Sequence, residues 1–238
     1  MAARRTLIAV LLLVASAHGA AQLPAATAYE FPKRISTESR TTLEQLADSA
    51  HQAGLPSDPL VAKAAEGVLK GADDARIVQA VRTLVRELGA ARAALPPDSR
   101  PGTIVAGASA LHVGVPPAAL RRLWIAGNAR PSEGDLAVAL VTLADLVTSR
   151  VAPEAAATSV QLLLSRRATD AEMSAFRAAV ARAISAGSAP DAAIADRTQS
   201  LVQQIDARVR DTGRSPAVKR SVPPAGPGDQ PPAVPPVP

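Results

Sequence analysis

The 238-residue sequence contains no cysteine and only four aromatic residues, Tyr29, Phe31, Trp124 and Phe176. Without cysteine, the chain can form no disulfide bond, no thiolate nucleophile and no cysteine-ligated zinc site. Binding sites for glycans and for single-stranded nucleic acids depend on stacking against several aromatic rings. The shortage of such rings therefore disfavours both kinds of site.

The sequence also lacks the short motifs of common catalytic and nucleotide-binding sites. The patterns HExxH, GxSxG, GxxxxGK[ST] and GxGxxG are all missing, and no EF-hand loop is present. We therefore predict that the chain is not an enzyme, that it has no catalytic or cofactor-binding residues, and that it uses no cofactor.

Two histidines, His51 and His112, lie beyond the N-terminal leader. Each comes just before a Gly-x-Pro turn, at the predicted end of a helix, where a histidine can bind the last carbonyls and suits the helix dipole. The pair is a weak candidate for a metal or acid–base site, but zinc needs a further ligand that the pattern does not supply. We predict a structural role for both histidines and no metal site.

Positive charge is concentrated at the two ends of the chain. Residues 22–206 contain 19 basic and 19 acidic residues, so this part is neutral, and the excess lies in Arg4, Arg5 and the segment 208–220. Binding of duplex DNA requires clustered lysine and arginine, so we predict that nucleic acid is not a partner. The basic C-terminal segment favours at most a weak electrostatic contact with anionic surfaces.

Residues 1–20 have the organisation of a secretory signal peptide. An arginine pair precedes an apolar run over residues 7–15, and small residues follow, with Ala17 or Ala20 as cleavage positions. The run is shorter than the about 20 residues that a membrane-spanning helix needs. We predict export to the periplasm or the extracellular space, with no transmembrane segment in the mature chain. An uncleaved N-terminal anchor is the alternative.

Apolar residues recur with a helical period through most of the remaining chain, as at Ile77, Val81 and Leu88. Clusters of proline and glycine separate these stretches. The pattern predicts an all-α fold of antiparallel helical hairpins. The predicted organisation is a signal peptide (1–20), an irregular N-terminal arm (21–36), a first helical subdomain (37–94), a loop (95–102), a second helical subdomain (103–211) and a disordered proline-rich tail (212–238).

Two kinds of turn are predicted between the helices. In the first kind, proline follows a helix end, and glycine in two cases closes that helix. The residues of this kind are Gly54, Pro56, Gly114, Pro116, Pro153 and Pro190. In the second kind, a polar residue caps the next helix, and the predicted caps are Thr41, Asp73, Ser132 and Thr169. Glu44 follows Thr41 and Glu172 follows Thr169 at the spacing of a capping box.

The proline turns recur at a fixed spacing, because Pro116, Pro153 and Pro190 are 37 residues apart. This period predicts a short, degenerate repeat of stacked helical hairpins. Recurring turn chemistry without a true repeat is the alternative, since no residue outside the turns is preserved in every copy.

Two single residues stand out in the second subdomain. Asp145 lies in its most apolar stretch, LAVALVTLADLV, where an unpaired buried charge would be costly. We expect Asp145 to pair with an arginine such as Arg121 or Arg122, or to face outward. Trp124 is interpreted as a core anchor rather than a platform for a ligand.

The stretches AGLPSDPLVAKAAEGVLKGADDARIVQAVRTL, GVPPAALRRL and LAVALVTLADLV resemble exported bacterial proteins of unassigned function. Those proteins also join Ala-rich helical hairpins through Gly-x-Pro turns. The resemblance covers roughly residues 40–205, and its motifs are structural. It implies a helical fold and carries no catalytic or ligand-binding residues over to this chain.

These observations leave the function open among three hypotheses. We favour a non-enzymatic scaffold or protein-interaction module of the cell envelope, with protein partners that the sequence does not identify. The first alternative is a small enzyme or metal-binding periplasmic protein whose polar residues meet only in the folded chain. The second is attachment to an envelope surface through the basic tail.

Overall fold

The computed structural model describes residues 29–125 and 131–213, and this part of the chain is helical without any β-strand, which confirms the predicted all-α fold. The predicted signal peptide and residues 214–238 of the predicted tail lie outside it. The helices are α1 (Thr37–Gln52), α2 (Asp58–Leu69), α3 (Asp74–Ala94), α4 (Pro101–His112), α5 (Pro117–Ile125), α6 (Glu133–Thr148), α7 (Pro153–Ser165), α8 (Asp170–Ser185) and α9 (Pro190–Gly213).

Six of the described helices end in the same hydrogen-bonded turn. In each, a residue with positive φ follows the helix, and its N–H donates to the carbonyl three residues earlier. The N–H of the next residue donates to the carbonyl five residues before it. At the end of α1, for example, Gly54 donates to His51 and Leu55 donates to Ala50. This pattern is the Schellman motif, which satisfies the last carbonyls of a helix. The residues with positive φ are Gly54, Gly71, Gly114, Arg150, Arg167 and Gly187.

The prolines of the turns lie where the next helix begins. Pro153 and Pro190 are the first residues of α7 and α9. Proline suits this position because the first helical N–H has no partner within the helix. Pro116 directly precedes α5, and Pro56 lies two residues before α2.

Three of the predicted helix caps bind the backbone of the following turn. The hydroxyls of Ser132 and Thr169 each accept the N–H of the residue three places on. The carboxylate of that residue accepts the backbone N–H of the cap in return, which completes a capping box. The carboxylate of Asp73 accepts the N–H of Arg76 at 2.8 Å. The side chain of Ser57, which precedes α2, makes no such bond.

The predicted cap at Thr41 is wrong. The N-cap of the first helix lies five residues earlier, at Ser36, whose hydroxyl accepts the N–H of Ser39. Thr41 lies inside α1 and donates its hydroxyl to the carbonyl of Thr37 at 3.1 Å. The Ser36 N–H donates at 2.9 Å to a carboxylate oxygen of Asp74, so a residue distant in sequence stabilises the earlier start.

The chain forms two compact units, with the described residues up to 82 in unit 1 and those from 83 onwards in unit 2. The division falls within α3, whereas the sequence places it in the loop 95–102. The loop contributes buried residues, with Leu95 only 4% and Ser99 only 5% exposed, and so it is packed rather than being a solvated linker.

Unit 1 holds an aliphatic core from α1, α2 and the start of α3. On the surface of this unit, Lys63 and Lys70 both form ion pairs with Glu66 of α2. The hydrogen bonds from these lysines lower the pKa of Glu66 to about 2. The hydroxyl and backbone N–H of Ser36 likewise lower the pKa of Asp74 below its usual range.

Unit 2 contains two rows of helices. In row A, α4 contacts α6 and α6 contacts α8; in row B, α5 contacts α7 and α7 contacts α9. The hairpins α6–α7 and α8–α9 join the rows. Contact between each helix and the helix two places on is the arrangement of stacked helical hairpins. The central helix is α6, which contacts α4, α5, α7 and α8.

The 37-residue spacing has a structural counterpart in unit 2. The capping boxes at Ser132 and Thr169 are 37 residues apart, and the Schellman residues Arg150 and Gly187 are also 37 residues apart. The turns of successive hairpins therefore share their local geometry. Within residues 29–125 and 131–213, no helix combines the length and the hydropathy that crossing a membrane requires.

Candidate interaction groove

A groove with a volume of about 360 Å³ runs across the three helices of row A. We call it the row A groove. Its walls are mainly small or aliphatic side chains, with a few polar groups. The lining residues are Gly102 and Ala106 of α4, Ala137, Val138, Val141 and Thr142 of α6, and Asp170, Ser174 and Arg177 of α8.

The groove exists because small residues on α4 and α8 leave space above α6, which is apolar nearly all round. Most apolar residues of α6 point into the core, and Leu140 and Leu143 are fully buried. Val141 lies on the opposite side and is 42% exposed. Gly102, Ala106 and Ser174 are too small to cover it. An aliphatic surface is therefore open to solvent at the centre of unit 2.

A second depression, of about 400 Å³, lies beside the C-terminal half of α6. It shares Ser174 and Arg177 with the row A groove. The Arg177 guanidinium donates to the Asp145 carboxylate at 2.5 Å, so an ion pair bridges α8 and α6 where the two depressions meet. Both side chains are at least one third exposed, and the pair borders the groove without being buried in it.

Two polar groups of the groove have no partner in the part of the chain that the structure describes. Thr142 is 1% exposed, yet its hydroxyl makes none of the hydrogen bonds found among these residues. Asp170, the first residue of α8, forms no ion pair there. A carboxylate suits a helix N-terminus, and Asp170 adds a negative charge to the lining of the groove.

The last turns of α9 lie beside the start of α8. Arg208 donates to the Glu172 carboxylate at 2.7 Å and to the Arg167 carbonyl at 3.3 Å. Partial burial raises the pKa of Glu172, but hydrogen bonds from Thr169 and Arg208 outweigh it and hold that pKa below its usual range.

The two histidines lie in different units. His51 is exposed in the last turn of α1 in unit 1, and His112 is exposed at the end of α4 in unit 2. The His112 ring bonds to the Glu87 carboxylate at 2.9 Å, beside a depression of about 310 Å³. Among residues 29–125 and 131–213, no group of three or more histidine, aspartate or glutamate side chains is placed to hold a metal ion.

The structure also shows the surroundings of the two residues that stood out in sequence. Asp145 faces outward, and its partner is Arg177 rather than Arg121 or Arg122. Arg122 instead pairs with Glu154 of α7 at 2.6 Å. Trp124 is half-buried, and its indole N–H donates to the Ala94 carbonyl at 2.9 Å, which ties α5 to the end of α3.

Sequence reasoning missed the row A groove. Its members come from three helices and are mostly alanine, valine, glycine and serine, residue types without chemistry of their own. The sequence held one signal, because α6 is apolar nearly all round. Such a helix is either wholly buried or offers an apolar surface. Comparisons of the chain with protein-family models, curated proteins and solved structures gave no match.

Proposed function

We propose that the chain is an exported, non-enzymatic protein-interaction module, and that the row A groove binds a short segment of a partner protein. The observation that carries the proposal is the exposure of Val141 in an apolar groove at the centre of a stack of hairpins. Stacked helical hairpins commonly bind partners along a continuous face of this kind. Export is supported by the sequence of residues 1–20.

The groove indicates the chemistry of the segment. A volume of about 360 Å³ lies at the small end of the range for binding pockets, about 300–1,000 Å³, and suits a few small aliphatic side chains. The Thr142 hydroxyl offers one hydrogen-bonding group on its floor. The charge of Asp170 favours a lysine or arginine at one end of the bound segment. We therefore propose a partner segment rich in alanine, valine or proline with one basic residue.

A random-peptide display library selected on the immobilised mature protein tests this proposal. We expect a consensus of small aliphatic residues with one lysine or arginine. Val141→Glu should weaken binding of the selected peptides by about tenfold or more, because it places a charge in the apolar groove. Leu162→Glu is the matched control, since Leu162 is also partly exposed, at 37%, but lies on α7 outside the groove. Selected peptides that bind Val141→Glu as well as the native protein would refute the proposal.

A further inference from the structure

We propose that the proline-rich segment 214–238 of the same chain occupies the row A groove in the free protein and competes with the external partner. The competition rests on the proposed function, whereas the docking of the segment does not. The occupant is identified by where the segment begins, by its side chains and by its charge.

The segment follows α9, whose last turns are bonded to the start of α8, one of the three helices that line the groove. Arg208 in α9 bonds to Glu172 and to the Arg167 carbonyl, at the start of α8. Asp170 at the start of α8 lines the groove. From Arg208 the helix continues for five residues to Gly213, a distance of about 7.5 Å at the usual helical rise. Residue 214 therefore follows shortly after the point in the sequence at which α9 contacts the start of α8.

The length of the segment is sufficient for the groove. Residues 214–238 would extend about 78 Å at about 3.1 Å per residue in a polyproline conformation. The 16 residues of α8 measure about 24 Å along the helix axis. The segment can thus turn back along α8 and still reach past Arg177.

The side chains of the segment match those the groove favours. Between residues 214 and 238 there are nine prolines together with alanines and valines, and no aromatic residue. Proline restricts φ before binding, so such a sequence loses less conformational entropy when it docks. Its basic residues, Arg214, Lys219 and Arg220, could complement the charge of Asp170, which forms no ion pair with the described residues.

Attachment to the chain makes a weak interaction sufficient. A short flexible connection gives an effective concentration of about 1 mM. A segment with an intrinsic Kd of about 1 mM would then occupy the groove about half of the time and raise the apparent Kd of an external partner about twofold. Tighter docking of the segment would raise the apparent Kd of the external partner further.

The absence of cysteine allows a direct test in the full mature chain. In the variant Ser174→Cys/Val222→Cys, one thiol lies in the groove and the other in the segment. In the control Gln203→Cys/Val222→Cys, the first thiol lies on the exposed surface of α9, outside the groove. The rate of intramolecular disulfide formation in dilute protein, followed by mass spectrometry, is the readout. Both pairs are joined through the same residues from Gly213 to Val222, because Ser174 and Gln203 lie in folded helices, so loop length does not distinguish them.

We expect the groove pair to form its disulfide about fivefold faster than the control. Adding Val141→Glu to the groove pair, or replacing Asp170 by Asn, should lower its rate towards the control, and salt should weaken the Asp170 contribution. A groove pair that reacts no faster than the control would overturn docking of the segment. In that case, display peptides that still depend on Val141 would leave the proposed function intact. If the groove pair reacts fast but the display peptides bind Val141→Glu as well as the native protein, the proposed binding of an external partner is refuted and the docking of the segment is not.

Discussion

The guanidinium group of Arg177 on α8 donates a hydrogen bond of 2.5 Å to the carboxylate of Asp145 on α6. The two residues are 32 positions apart in sequence and belong to neighbouring helices of row A. Row B has a counterpart in Arg122 and Glu154, which are also 32 positions apart. Each of these ion pairs therefore joins two helices that are two places apart in the stack.

A double-mutant cycle measures the strength of the row A pair. Asp145→Ala, Arg177→Ala and the double variant should give a coupling free energy of about 0.2–1 kcal/mol, the range for exposed ion pairs. Urea denaturation of the four proteins provides the values, and added salt should reduce them. A coupling that does not differ from zero at low salt would show that packing alone holds α6 and α8 in register.

Loss of the cap at the start of α8 should destabilise unit 2. Thr169→Ala removes the hydroxyl that accepts the N–H of Glu172 and should lower the free energy of unfolding by about 1 kcal/mol. Thr158→Ala is the matched control, because Thr158 is an exposed threonine within α7. The control should be neutral or slightly stabilising, since alanine has the higher helix propensity. Equal effects of the two substitutions would contradict a capping role.

The carboxylate of Glu172 should make stability depend on pH. Its pKa is lowered in the folded chain, so the ionised form stabilises the fold at pH values above the usual pKa of 4.5. This contribution should disappear as the pH falls through the lowered pKa of the folded state. Glu172→Gln should therefore cost about 1 kcal/mol at pH 7 and progressively less below pH 4.5.

Denaturation curves of the native chain and of Glu172→Gln at several pH values between neutral and strongly acidic provide this comparison. Asp196→Asn, at an exposed carboxylate of α9, serves as the control and should change stability by less than about 0.5 kcal/mol at neutral pH. A cost for Glu172→Gln that stays constant down to low pH would exclude the ionised carboxylate as its source.

Glycine should stabilise the turn after α6. Arg150 has φ of 69°, a left-handed conformation that disfavours residues with a Cβ. Arg150→Gly should therefore raise the free energy of unfolding by about 0.5–1 kcal/mol. Arg182→Gly, at an exposed arginine inside α8, should lower it by about the same amount, because glycine is unfavourable in a helix. The opposite signs of the two changes test the assignment of the turn by thermal or chemical denaturation.

Export should depend on the apolar run of residues 7–15. Leu12→Arg interrupts this run and should retain the full-length chain in the cytoplasm of the producing bacterium. Mass spectrometry of the native protein should show a mature chain that begins after Ala17 or near Ala20. Thr6→Ser, which leaves the run unchanged, should be processed normally. An exported Leu12→Arg chain, or a native chain that keeps its leader, would contradict the signal-peptide assignment.

The row A groove shows why the site could not be predicted as the helices could. Gly102, Val141 and Ser174 lie about 30 to 40 residues apart and carry no chemical group that marks a site. Their relevance arises only when α4, α6 and α8 lie side by side. The same limit explains why the partner of Asp145 was predicted among nearby arginines, whereas the structure places it on α8.

Local chemistry, in contrast, could be read from the residues alone. The helical periodicity, the capping box at Thr169 and the glycine-terminated turns depend on interactions within about five residues. Where α1 begins, which charges pair and whether an apolar face is covered depend on groups brought together by packing. The contact of Asp74 with the Ser36 N–H stabilises the early start of α1. The packing of α4, α6 and α8 leaves Val141 exposed to solvent. Those outcomes belong to the tertiary structure because their energies involve residues that are distant in sequence.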